Sequence, residues 1–161
     1  MALTEILIGI VAFVVGACLI AWLVVLGMRH MMVVEHKSRH SFDETVERMK
    51  KVVEETEGWV FPVSDWHFSD AMIKHEKPFK GVDKLVVFFI CKAHHAQNMV
   101  NAKPEMASIM PCGWALYERN GKTYLGTMNI PMMALPFKGI IKETFGAVGR
   151  EEREMMHKIL N

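Results

Sequence analysis

Residues 6–28 form an unbroken apolar run of 23, bracketed by Glu5 and Arg29. At about 1.5 Å of rise per residue, such a run crosses a hydrocarbon core of about 30 Å as a single helix. A secretory signal would show a basic leader, a shorter apolar stretch and a small-x-small cleavage site. Here the leader is Met-Ala-Leu-Thr-Glu, and Arg29-His30-Met31-Met32 follows the run. The pattern predicts a tail and one transmembrane helix over residues 1–30, then one small globular domain over residues 31–161.

Within the domain the period changes repeatedly. Residues 31–39 read as a first strand. Ser41 and Glu44 have the S-x-x-E spacing of a capping box, and behind them Phe42, Val46, Met49 and Val53 recur at helical spacing as far as Gly58. Residues 59–63 read as a short strand that Pro62 places near an edge. Residues 69–76 read as a short amphipathic helix. Residues 85–91, Leu-Val-Val-Phe-Phe-Ile-Cys, read as a central strand covered on both faces. Asn120-Gly121 joins strands at 113–118 and 122–128, because both residues tolerate the positive φ of a type I′ turn. The tail predicts a helix with Phe137, Ile141, Phe145 and Val148 on one stripe and Met155, Met156 and Ile159 on another, broken or kinked at Gly149. Glu151, Glu152 and Glu154 alternate with Arg150 and Arg153 as a solvated helix face. Together these elements predict an α+β fold, an antiparallel sheet backed by helices (β-α-β-β-β-β-α), preceded by the membrane helix.

Charge refines the picture. All 19 Lys and Arg residues lie at or after Arg29, where 17 acidic residues oppose them. That balance argues against nucleic-acid binding, which requires clustered positive charge. Arg29, Lys37 and Arg39 flank the apolar run, so the positive-inside rule places the domain on the cytoplasmic side of the cell's inner membrane. Three cysteines, Cys18, Cys91 and Cys112, form no disulfide framework and suit a reducing compartment.

The stretch Ser41-Phe42-Asp43-Glu44-Thr45-Val46-Glu47-Arg48-Met49-Lys50, with the later order of buried strand, helical loop and the hairpin from Trp114 to Met128, is similar to domain-of-unknown-function family three-zero-two. The resemblance covers most of residues 33–160. It implies an α+β domain, often self-associating, and no established activity. It also implies an Asn-Pro after the buried strand and a Leu-Pro before the hairpin. This chain instead has Cys91-Lys92-Ala93-His94-His95 and Met110-Pro111-Cys112.

Candidate chemistry concentrates in that segment. Thiolate, imidazole and thioether are copper ligands, and His or Met also ligate haem. His94, His95, Met99, Met106 and Met110 are the candidate cofactor-binding residues, and Cys91, His94, His95, Met99 and Cys112 the candidate metal ligands. His95 and Met99 fall four apart on a helix at 95–102, as do Met106 and Met110 in the next segment, with Cys91 and Cys112 at the ends of neighbouring strands. Packing is the competing reading, since Met fills irregular cores and there are 14 in the chain. Cys91-x-x-His94-His95 resembles a c-type haem attachment sequence lacking its second cysteine, and a cytoplasmic face is the wrong side for that attachment. Without a C-x-x-C pair, structural zinc is disfavoured. His30, His36 and His40 near the membrane exit read as solvated residues, with His36 and His40 sharing a strand face. Trp59, Trp66 and Trp114 read as core or interface aromatics. No phosphate loop, nucleophile elbow, zincin motif or carboxylate pair in an apolar context is present.

In the membrane run, Ala12 and Gly16, then Ala17 and Ala21, are small residues four apart, a spacing that permits close helix–helix packing. The function expected is therefore a non-catalytic accessory subunit of a membrane-bound complex, redox or respiratory in kind, contacting its partners and the bilayer through the helix. Two rivals stand beside it. One is a membrane-tethered copper- or haem-binding domain, and the other a thiol- or sulfur-handling enzyme acting through Cys112 or Cys91.

Overall fold

The computed structural model describes residues 2–161, without the side chains of residues 2, 3, 29 and 30. The side chains of Arg29 and His30 therefore lie outside what is described. Two compact units are present, residues 1–32 and 33–161.

The first unit is helix α1, Ala2–Met31. Its segment Thr4–Met28 is long and apolar enough to cross a membrane, and its apolar side chains are exposed, Phe13 at 78%. At about 100° per residue, Ala12 and Gly16 share one face while Ala17 and Ala21 share another, about 140° round the helix. A Cβ built at Gly16 would meet nothing within 4 Å.

The second unit is an α+β domain. Its strands are β1 (Val33–Lys37), β2 (Trp59–Val60), β3 (Trp66–His67), β4 (Lys84–Lys92), β5 (Cys112–Arg119) and β6 (Lys122–Met128). They form an antiparallel sheet in the order β1-β6-β5-β4-β2, with β3 also pairing β4. β1 is shorter than residues 31–39, because Met31 belongs to α1 and Ser38 turns inward, its Oγ 2.9 Å from Thr45 Oγ1. His40 consequently leaves the strand face it was expected to share with His36. Residues 59–63 keep only two strand residues, and Trp66–His67 supplies a strand that had no sequence signal.

α2 (Phe42–Glu55) starts where Ser41 accepts a hydrogen bond from Glu44 N at 3.3 Å. The reciprocal half of the expected capping box is replaced: Glu44 Oε1 lies 2.8 Å from His40 Nδ1. Phe42, Thr45, Met49 and Val53 are its buried stripe. α3 (Phe68–Lys74) and α4 (Ala93–Ala102) flank β4, and a 3₁₀ turn (Pro104–Ile109) leads to β5. β4 has neighbours along both edges but is fully covered on one face only. Val86, Phe88 and Ile90 are buried, while Leu85, Val87, Phe89 and Cys91 are half-buried. The β5–β6 turn has φ 54° at Asn120 and 66° at Gly121, the left-handed pair its sequence predicts.

After a short α5 (Ile130–Met133), α6 (Gly139–Leu160) runs 22 residues without a break. Gly149 does not kink it. A Cβ there would approach Ile130 Cγ2 to 3.3 Å, so the glycine lets α5 pack closely against α6. Arg48 on α2 secures the helix end, donating from Nε to Ile159 O at 3.1 Å and from Nη2 to Lys158 O at 2.7 Å. The core between sheet and helices includes Phe88, Ile90, Trp114, Leu116, Leu125, Met49, Met155 and Ile159.

Candidate functional site: a thioether-lined cavity

Where β4 passes into α4, and β5 begins, the chain encloses a cavity of about 40 Å³. Its position follows from the elements around it. β4 ends at Lys92, so α4 begins beside the sheet and turns His95 and Met99 inward one turn apart. The 3₁₀ turn brings Met106, and the loop after it Met110, over the same space. Met106 and Met110 do not share a helix face as expected, because the turn has about three residues per repeat and Met110 lies beyond its end. Both still line the cavity.

The cavity gathers Cys91, His95, Met99, Met106, Met110 and Cys112, and adds Met128 from β6 and Met133 from α5. His94 is separate. It is exposed on the outer side of α4, 3.4 Å from Asn98 Nδ2. Cys112 pairs in register with Ile90, so Cys91 lies one residue further along its strand. By the alternation of strand side chains, Cys91 directs its Cβ to the opposite face from Cys112. Among the described residues no three His, Cys, Asp or Glu side chains cluster closely enough to hold a metal ion. A haem macrocycle does not fit a space of about 40 Å³.

Two carboxylates expected on a solvated face set the electrostatics instead. Glu151 sits at the rim, accepting hydrogen bonds from Trp59 Nε1 at 2.6 Å and Lys92 Nζ at 3.0 Å, with His95 Nε2 at 3.0 Å. Burial works to raise its pKa, and these three partners outweigh it and hold the carboxyl below its usual range. When His95 donates from Nε2 to Glu151, its Nδ1 keeps a free lone pair.

Glu152 is 3% exposed. Burial pushes its pKa up to about 7, against the pull of the Trp114 indole N–H and the Cys112 thiol beside it. Neither donor closes to full hydrogen-bond geometry, so Glu152 Oε1 and Trp114 Nε1 have no hydrogen-bond partner among the described residues. Burial, then the adjacent Glu152, push the Cys112 thiol far up, and burial also raises Cys91. Glu152 lines a second cavity of about 190 Å³, beside His36.

The α6 stripe carried a signal for Glu152. Ile141, Phe145, Val148, Glu152, Met155 and Ile159 follow one another at intervals of three and four, so Glu152 holds a core position of the stripe. Its neighbours in the Arg-Glu-Glu-Arg-Glu run mask it. Of the tryptophans, Trp59 and Trp114 are buried, while Trp66 is 47% exposed and stacks on Phe68 at 4.1 Å between centroids.

No curated protein matches the chain. Among solved structures, a crystal structure of an uncharacterized conserved protein, DUF302, from Bacillus stearothermophilus is similar with a TM-score of 0.69 at 16% identity. The similarity covers 80% of this chain and 98% of that one. At that identity the likeness establishes the fold. The family described as Domain of unknown function DUF302 matches residues 34–161, and the chain belongs to it.

Proposed function

We propose that this protein is a membrane-anchored, non-catalytic accessory subunit of a larger membrane-bound complex, redox or respiratory in kind, with its domain on the cytoplasmic side of the inner membrane. The observation that carries this reading is α1: its segment Thr4–Met28 exposes apolar side chains along its length, and only Met32 separates the helix from β1. A flexible tether would let the domain act at a distance, whereas a junction of one residue suits a domain held at a fixed place in an assembly. Two pairs of small residues, Ala12 with Gly16 and Ala17 with Ala21, give the helix close-packing surfaces on two sides. The side of the membrane rests on Arg29, Lys37 and Arg39.

The site supports the non-catalytic part of the reading. Burial raises the pKa of the unligated Cys112 thiol far above its usual range, and a protonated thiol is a poor nucleophile. The thiol-enzyme alternative is weakened by the same fact.

The test is extraction from native membranes in a mild detergent, followed by native electrophoresis and identification of what migrates with the chain. We expect a defined set of membrane proteins at fixed stoichiometry. The double variant Ala12→Leu, Gly16→Leu should stay in the membrane and lose that migration. A chain that runs alone as one stable species would overturn the proposal.

A further inference from the structure

The described structure places five of the chain's 14 methionines around one small cavity: Met99, Met106, Met110, Met128 and Met133. They come from α4, the 3₁₀ turn, the loop beyond it, β6 and α5, so no single helix stripe accounts for their meeting. Methionines serving only as packing also occur in this domain, as Met49, Met155 and Met156 in the core away from the cavity. Two cysteines also border the cavity: Cys112, at the start of β5, and Cys91, whose Cβ is directed to the opposite face of the sheet.

We propose that this cavity is a binding site for a single monovalent copper ion, held by the Cys112 sulfur together with thioethers of Met99 and Met106. Three features select that ion. Thiolate and thioether donors favour Cu(I) over harder cations. A volume of about 40 Å³ admits one ion and excludes organic cofactors. No group of three His, Cys, Asp or Glu residues is assembled among the described residues, so the site lacks the donor set that zinc requires. Charge balance agrees with these. On binding, the Cys112 S–H bond breaks, a sulfur–copper bond forms and the proton leaves to solvent. The thiolate and the monovalent ion are then neutral together, which is the charge state an apolar cavity tolerates. No electron is transferred in the step. Met99 and Met106 are each 5% exposed, so their thioethers are already withdrawn from water and lose little hydration on ligation.

The experiment uses the full chain in detergent, carrying Cys18→Ser to remove the exposed thiol of α1. It is titrated anaerobically with Cu(I) in competition with a chromophoric Cu(I) chelator. We expect one equivalent to be taken from the chelator and the thermal unfolding midpoint to rise with it. Cys112→Ser should weaken the affinity more than about a hundredfold, because loss of an outer-shell partner alone commonly costs about 10–100-fold. The double variant Met99→Leu, Met106→Leu conserves volume and keeps the fold, as circular dichroism would check, and should weaken affinity at least about tenfold. A parent protein that takes no copper from the chelator overturns the proposal. So does a folded double-leucine variant that binds as tightly as the parent, since copper would then sit on a bare thiol.

Discussion

Glu152 is the residue whose burial has the largest consequence. In the unfolded chain its carboxyl titrates near 4.5, and in the fold near 7. Between those values the folded chain keeps a proton that the unfolded chain has released. Its contribution is therefore fully present below about pH 4.5 and is lost as pH rises through about 7. At about 1.36 kcal/mol per unit, the change amounts to about 3 kcal/mol. Chemical denaturation at pH 5 and pH 8 should show most of that loss, and Glu152→Gln, which keeps the shape without the titration, should flatten it. A Gln variant with the parent's slope would assign the pH dependence elsewhere. Glu151 acts with the opposite sign: its lowered pKa gives stability that persists above the ordinary carboxylate range and is lost on acidification. Adjacent in sequence, the two carboxylates differ because one faces Trp59, Lys92 and His95 at the rim and the other faces Cys112 and Trp114 beneath the sheet.

At the scale of elements, periodicity carried most of the fold. α2, β4, the β5–β6 hairpin and α6 were legible because their apolar positions, cap and turn residues agree with one another. β2 was legible only as a longer strand over residues 59–63, and β3 not at all, since neither two-residue strand is long enough to display a period. Gly149 was misread as a break because glycine lowers helix propensity, whereas here a tertiary contact decides its effect. The distinction can be measured. Gly146 and Gly149 lie on the same helix, but a Cβ at Gly146 would meet only Arg150 Nη1 at 3.6 Å, the tip of a flexible side chain. Gly146→Ala should therefore stabilise the fold by about 0.5–1 kcal/mol, the ordinary propensity gain. Gly149→Ala meets Ile130, which is 3% exposed, at 3.3 Å, and should fall below Gly146→Ala by about 1–3 kcal/mol through overpacking. Equal effects in thermal denaturation would mean that α5 moves aside freely. The candidate site shows the same division. Its richness in sulfur was legible as composition, but the separation of His94 and the convergence of Met128 and Met133 on one cavity depend on how strands and helices meet.

For the molecule as a whole, the two units invite different chemistry at their cysteines. Cys18 lies within the apolar segment of α1 and is exposed on its surface, while Cys91 is half-buried in the domain. If α1 spans a bilayer, lipid surrounds Cys18, and a charged, membrane-impermeant maleimide cannot reach it from either side. If the domain faces the cytoplasm, Cys91 is shielded in intact cells and open in inverted vesicles. Labelling both preparations, followed by mass spectrometry of the two cysteine peptides, tests the spanning helix and its orientation together. Cys18 should remain unmodified in both until detergent is added, and Cys91 should be modified only in inverted vesicles. Modification of Cys18 in intact membranes would mean that α1 lies against protein or water instead of crossing lipid. Modification of Cys91 in intact cells would leave the spanning helix in place and reverse the orientation proposed from Arg29, Lys37 and Arg39.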